Sequence, residues 1–234
     1  MDHKLEWLSE EEGRIVFFEK AQPFFTADFF LTGGNEAEFK IQDVVFEGKS
    51  TKNDDFHKEV TLKMTECLSE CFRLLWDEGL EEVVLLEPQG TKTAEILDST
   101  NVVRKLYSEY MMKRHIESKK TTDCGLDFLE LTKTEDGYLC ENKEKTFFCR
   151  LLSYDGEATG KQSFYLYEVE VKKMSRNKGV ATNCLTSLFT LLSQDAPLTV
   201  YLQVGSYNEP AVHLYKKLGF DVSEELGYYV SAEE

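Results

Sequence analysis

The segment Val171-Lys-Lys-Met-Ser-Arg176-Asn-Lys-Gly179-Val-Ala181-Thr182 sets small residues among basic ones, between an alternating apolar run and a run of helical period. It therefore marks a strand-to-helix junction. The first backbone N–H groups of a helix have no intrahelical partner, and the positive end of the helix dipole lies behind them. Gly179 and Ala181 lack the bulk that would hold an oxyanion away from those amides, while Arg176 and Lys178 add positive charge. A pyrophosphate suits such a loop. Taken alone, R-x-x-G-x-A reads equally well as an ordinary turn carrying two solvated basic residues, so the surrounding elements decide.

In the C-terminal half, alternation predicts three strands, Gly137 to Glu141, Thr146 to Ser153 and Ser163 to Val171, forming an antiparallel meander. From Gly179 to Leu192 the period changes, with Val180, Cys184, Leu185, Leu188, Phe189 and Leu192 on one helical face. Leu198, Val200, Leu202 and Val204 then alternate as a strand between Pro197 and Gly205. Asn208-Glu209-Pro210 opens a second helix with Asn208 as its cap, Gly219 closes it in a left-handed C-cap, and Phe220 starts a strand toward Tyr228 to Val230.

The N-terminal half repeats this order. Strands are expected at Ile15 to Lys20, Phe24 to Leu31 and Glu38 to Phe46, followed by a helix over Val60 to Glu78 and a strand over Val83 to Glu87. The spacing of Val102, Val103, Leu106, Tyr107, Tyr110 and Met111 predicts a further helix, in which Lys105-Leu106-Tyr107 echoes His213-Leu214-Tyr215. Two copies of meander, helix, strand and helix imply tandem domains, 1–118 and 119–234, divided in the polar stretch from Ile116 to Gly125. A single α+β domain with coincidentally similar elements is the competing reading.

With both R-x-x-G-x-A and Asn208-Glu-Pro-Ala-Val-His-Leu-Tyr215-Lys-Lys-Leu-Gly219-Phe220 in order, the C-terminal half resembles the GNAT superfamily of acyl-CoA-dependent N-acetyltransferases. The two motifs span Val169 to Phe220, and the second, N-x-x-A-x-x-L-Y-x-K-x-G-F, is the more specific. The resemblance implies an α+β fold on a mixed sheet whose fourth and fifth strands splay, with the pantetheine of acetyl-CoA lying near Val169 and Val171. It assigns the pyrophosphate to Arg176, Asn177, Lys178, Gly179, Val180, Ala181 and Thr182, and gives Asn208 a cofactor contact beside its capping role.

In the family an amine attacks the thioester directly, so an acid must protonate the departing thiolate and a base must neutralise the incoming ammonium. The resemblance makes Tyr215 the acid; without it, an aromatic at i+4 from Ala211 on an apolar helix face reads as core. Glu168, on the strand before the loop, is the candidate base, with Glu170 on the same face by strand parity and a water chain as the alternative. The N-terminal half departs from the pattern: Phe46 is followed by Glu-Gly-Lys-Ser-Thr-Lys-Asn-Asp54-Asp55, whose aspartates would repel pyrophosphate. That half reads as a degenerate GNAT-like domain, with Tyr107 as a packing residue.

Composition bounds the partners. The chain has 234 residues, 41% of them hydrophobic, which can fill a core, and its net charge of −16 argues against nucleic acid or an anionic membrane. Such a charge attracts a cationic amine, although it serves solubility equally well. The six cysteines lack CxxC pairs, and His3, His57, His115 and His213 lack ligand spacing, so reduced thiols and no metal are expected. No basic start followed by an apolar run, and no 18-residue apolar stretch, points to a cytoplasmic protein. The expected activity is acetyl transfer from acetyl-CoA to a primary amine of a small molecule, less so of a protein or peptide. The alternative is a non-catalytic module of the same fold that binds acyl-CoA or a protein.

Overall fold

The computed structural model describes residues 2–45, 54–118, 128–154, 162–194 and 196–232. The chain divides into two compact units, Met1–Ser108 with Glu225–Glu234, and Glu109–Glu224. Its elements run β1 (Asp2–Trp7), β2 (Glu12–Glu19), β3 (Gln22–Gly33), β4 (Glu36–Val44), α1 (Asp54–Asp77), β5 (Glu82–Pro88), α2 (Lys92–Leu97) and β6 (Val103–Ile116). They continue as β7 (Leu129–Lys133), β8 (Gly137–Asn142), β9 (Phe147–Tyr154), β10 (Gln162–Val171), α3 (Val180–Leu192), β11 (Leu198–Gly205), α4 (Glu209–Lys217) and β12 (Asp221–Ser231). The repeated order is thus observed: a four-strand meander, a helix, a parallel strand, a helix and a last strand, twice.

In the first unit, β1 to β4 pair antiparallel in sequence and β5 joins β4 in parallel, the crossover that α1 makes possible. Met64, Cys67, Leu68, Cys71, Phe72 and Leu75 recur along α1 at three- and four-residue spacing, all buried with Ile15, Phe17, Phe25 and Phe39 of the sheet. The strand that flanks β5 comes from the far end of the chain, with Leu226 to Tyr229 of β12 pairing antiparallel with Pro88 to Leu85. Tyr229 is buried there, and Tyr107, expected as a packing residue, is exposed with its ring stacked on Tyr228 at 4.6 Å.

The second unit repeats the plan. β7 to β10 form the meander, β11 lies parallel to β10, and β6 pairs antiparallel with β11 from Glu109↔Gly205 to Ile116↔Leu198. The core lies between this sheet and α3 and α4, with Leu166, Val200, Leu202, Cys184, Leu188, Phe189, Tyr215 and Phe220 buried together.

The helix expected over Val102 to Met111 is instead the start of β6, and the helix of that position in the repeat is the six-residue α2. Thr91 caps α2, accepting the amide of Ala94 at 3.0 Å. The apolar residues of 102–111 fall by chance at helical spacing, yet the segment must supply ladder partners. β1, β7 and α2 were not legible in the sequence. Cys67, Cys71, Cys140, Cys149 and Cys184 are buried and form no disulfide among the described residues, and Cys124 lies outside them. Among the described residues, no helix is long and apolar enough to cross a membrane.

Candidate functional site

The site starts with a missing stretch of sheet. β10 and β11 are paired only from Gln162↔Leu198 to Tyr165↔Tyr201, although β10 runs on to Val171 and β11 to Gly205. β9 continues along the other edge of β10 as far as Phe147↔Val171, and β6 along the other edge of β11. Beyond Tyr165 the two parallel strands therefore part, leaving backbone groups of β10 without ladder partners on the inner edge. A bulge between Tyr167 and Glu170 assists, with Glu168 at φ +49°.

A cavity of about 750 Å³ opens beside this divergence, lined by Val169, Glu170 and Val171 of β10, the loop and first turn of α3, and α4. Its loop wall is shaped by backbone conformation. Asn177 and Gly179 both have positive φ, +59° and +76°, and a Cβ on Gly179 would meet no atom within 4 Å. The loop bends sharply while its surface stays clear, which is the use of glycine here. Arg176 Nε donates to the Val171 carbonyl at 3.0 Å, tying the guanidinium to the end of β10.

The start of α3 differs from those of α2 and α4. Asn208 accepts from the Ala211 amide at the head of α4, as Thr91 does at α2, whereas no side chain caps α3. The first intrahelical bond of α3 is donated by Asn183 to the Gly179 carbonyl, so the amides of Val180, Ala181 and Thr182 precede the ladder. Those amides, the helix dipole and the Arg176 cation suit this wall to a phosphate-sized anion in a chain of net charge −16, and Lys217 of α4 adds a second cation to the lining.

Opposite lies Tyr215. It is only 7% exposed and packs edge-on against Phe220 with ring centroids 5.8 Å apart, yet it lines the cavity. Among the described residues its hydroxyl has no hydrogen-bond partner. Burial, helped by the nearby Cys149 thiol, pushes its pKa up to about 12, so at neutral pH it is a phenol with a proton to give.

The cavity gathers Val169, Val171, Arg176, Asn177, Gly179, Val180, Ala181, Thr182, Asn208 and Tyr215, ten of the residues singled out from sequence. Glu168 and Lys178 are not among its lining residues. Glu168 is exposed at the bulge and pairs with Arg150 Nε at 2.8 Å; the bulge breaks the parity that would put it on one face with Glu170, which does line the cavity. Sequence reasoning passed over Ser175, Pro210, His213, Leu214 and Lys217. Pro210, His213 and Lys217 stand at i, i+3 and i+7 on α4, a stripe beside Ala211 and Tyr215, and that spacing could have found them. In the first unit, the segment that replaces R-x-x-G-x-A falls at 46–53, outside the described residues, and α1 begins on Asp54.

Comparison with known proteins gives this geometry a context. The family model described as acetyltransferase (GNAT) family matches residues 103–220, just over half of the chain, starting at the first residue of β6. A GCN5-related N-acetyltransferase from Sphaerobacter thermophilus superposes with a TM-score of 0.58 at 11% identity, covering 97% of this chain and 82% of that one. A GCN5-related N-acetyltransferase from Kribbella flavida gives 0.54 at 9% identity, covering 89% and 87%. A tandem GNAT protein from the clavulanic acid biosynthesis pathway gives 0.51 at 8% identity, covering 95% and 83%. At such identities the likeness establishes the fold. No curated protein sequence matches the chain.

Proposed function

The chain belongs to the acetyltransferase (GNAT) family, with two GNAT-like halves in tandem, and we propose that its second unit transfers an acetyl group from acetyl-CoA to a primary amine of a small molecule. The observation that carries this reading is the divergence of β10 from β11 beside a cavity lined by the uncapped start of α3 and by Tyr215 of α4. The two suit the two ends of one thioester substrate.

Under this reading the amides of Val180 to Thr182, with Arg176, hold the pyrophosphate. The inner edge of β10 at Val169 and Val171 offers backbone hydrogen bonds to the pantetheine amides. The amine enters as a cation, loses a proton, and attacks the carbonyl carbon; the C–N bond forms as the C–S bond breaks. The departing sulfur takes the proton of Tyr215, whose raised pKa keeps that proton available across the neutral range, and the proton shed by the acylated nitrogen restores the phenol. Glu168, paired with Arg150 outside the cavity lining, would need to leave that ion pair to act as base, so a water chain suits that step better.

The test is release of free thiol from acetyl-CoA by the purified chain, measured across a panel of primary amines and neutral alcohols. Amine-dependent release is the expected result. Binding of acetyl-CoA without turnover on any amine would favour a non-catalytic module.

A further inference from the structure

The face of the second unit's sheet turned away from α3 and α4 carries a different chemistry. On β11, Leu198, Val200, Leu202 and Val204 are buried with the helices, so alternation turns Thr199, Tyr201 and Gln203 to the other face. On β10, Phe164 and Leu166 face the helices, which puts Tyr165 and Tyr167 on that second face, their rings stacked at 6.4 Å. The register Gly205↔Glu109 and Gln203↔Met111, with Met112 in the core, brings Glu109 and Met111 of β6 to the same side.

Three side chains from three strands converge there. The Glu109 carboxylate accepts a hydrogen bond from Gln203 Nε2, and its charge adds to burial in raising the pKa of Tyr165. Tyr207 completes the frame: a Cβ on Gly205 would lie 2.5 Å from its ring, so the ring covers the position directly across from Glu109. Tyr165 is also the last residue of β10 joined to β11. Tyr165 thus marks the apex of the divergence, and Gln203 and Glu109 lie along the open stretch beyond it, on the face away from the helices.

We infer that Glu109, oriented by Gln203 and framed by Tyr165 and Tyr207, is the receptor for the ammonium group of the acceptor, and that it selects primary amines carried on an apolar or aromatic body. This rests on the acetyl-transfer reading. A carboxylate among aromatic faces binds a cation through charge-assisted hydrogen bonds and through the ring quadrupoles. The net charge of −16 draws such a ligand in. The thioester would approach from the helix face and the amine from this one, each on its own side of the gap.

The test is calorimetric titration of phenethylamine, and of phenylacetate as its anionic counterpart, into the full chain saturated with coenzyme A, which cannot turn over. Wild type should bind phenethylamine and not phenylacetate. Glu109→Gln should weaken the amine at least about tenfold, and Tyr207→Ala, a change at a side chain 72% exposed, by a smaller factor, with coenzyme A affinity held within about twofold. In turnover, Glu109→Gln should raise the KM for the amine and leave kcat near wild type. Equal amine binding by wild type and Glu109→Gln, or equal binding of phenylacetate, would overturn the assignment, as would no binding of phenethylamine to wild type. If wild type fails to bind coenzyme A, the acetyl-transfer reading falls on that result, and titration of the amine without coenzyme A still decides the receptor.

Discussion

Tyr215 shows how one residue can satisfy two readings of a sequence. Its place on the apolar face of α4 predicts a packed aromatic, and it is buried against Phe220; its motif position implies a proton donor, and the residue lines the cavity. Because the ring supplies the packing, Tyr215→Phe keeps the fold and removes only the O–H. We expect kcat to fall roughly 100-fold or more with the KM for acetyl-CoA little changed. Steady-state kinetics with thiol detection checks this, and unchanged kcat would remove Tyr215 from the reaction. Since its pKa lies at about 12, no loss of activity from its ionisation is expected between pH 7 and 9. Glu168 was less legible. Strand parity is a rule for unbroken ladders, and the bulge that opens the cleft breaks it at that residue.

Among the elements, those with long, strongly periodic apolar faces were legible: α1, α3, β11 and the meander strands emerge from alternation and helical spacing. Shorter or more polar elements were not. β1 and β7 carry no buried residue, α2 is a six-residue helix, and β6 has apolar residues at spacings that imitate a helix. Pairing between distant segments fixes these, and no local pattern records it. The end of β5 gives a test at this scale. Glu87 is buried, accepts from Thr91 Oγ1 at 2.9 Å, and has its pKa raised to about 6, by burial against the opposing hydrogen bond. A carboxyl with a raised folded pKa contributes its stability below its unfolded pKa and loses it as pH climbs through about 6. At pH 8 the ionised group therefore destabilises the first unit by about 2 kcal/mol, a cost that Glu87→Gln removes while keeping an acceptor for Thr91. Urea unfolding should show the variant more stable at pH 8 and equal to wild type at pH 4; a variant less stable at pH 8 would contradict the assigned cause.

For the molecule as a whole, the tandem order was legible because each half repeats its elements, but the destination of the last strands was not. β12 delivers Leu226 to Tyr229 to β5 in the first unit, and β6 delivers Glu109 to Ile116 to β11 in the second. A fragment of residues 119–234, cut at the boundary read from sequence, lacks the β6 partner of β11. It should express without cooperative thermal unfolding, whereas a fragment starting at residue 103, where the family match begins, should retain more structure in the same calorimetric scan. The central claim, that the second unit binds acetyl-CoA on the uncapped start of α3, is tested most directly by calorimetric titration of acetyl-CoA into wild type and Gly179→Glu. The substitution sets bulk and negative charge at a left-handed position in the anion wall. Binding at one site per chain, abolished in a folded variant, is the predicted result; no binding to wild type, or undiminished binding to the variant, would contradict it.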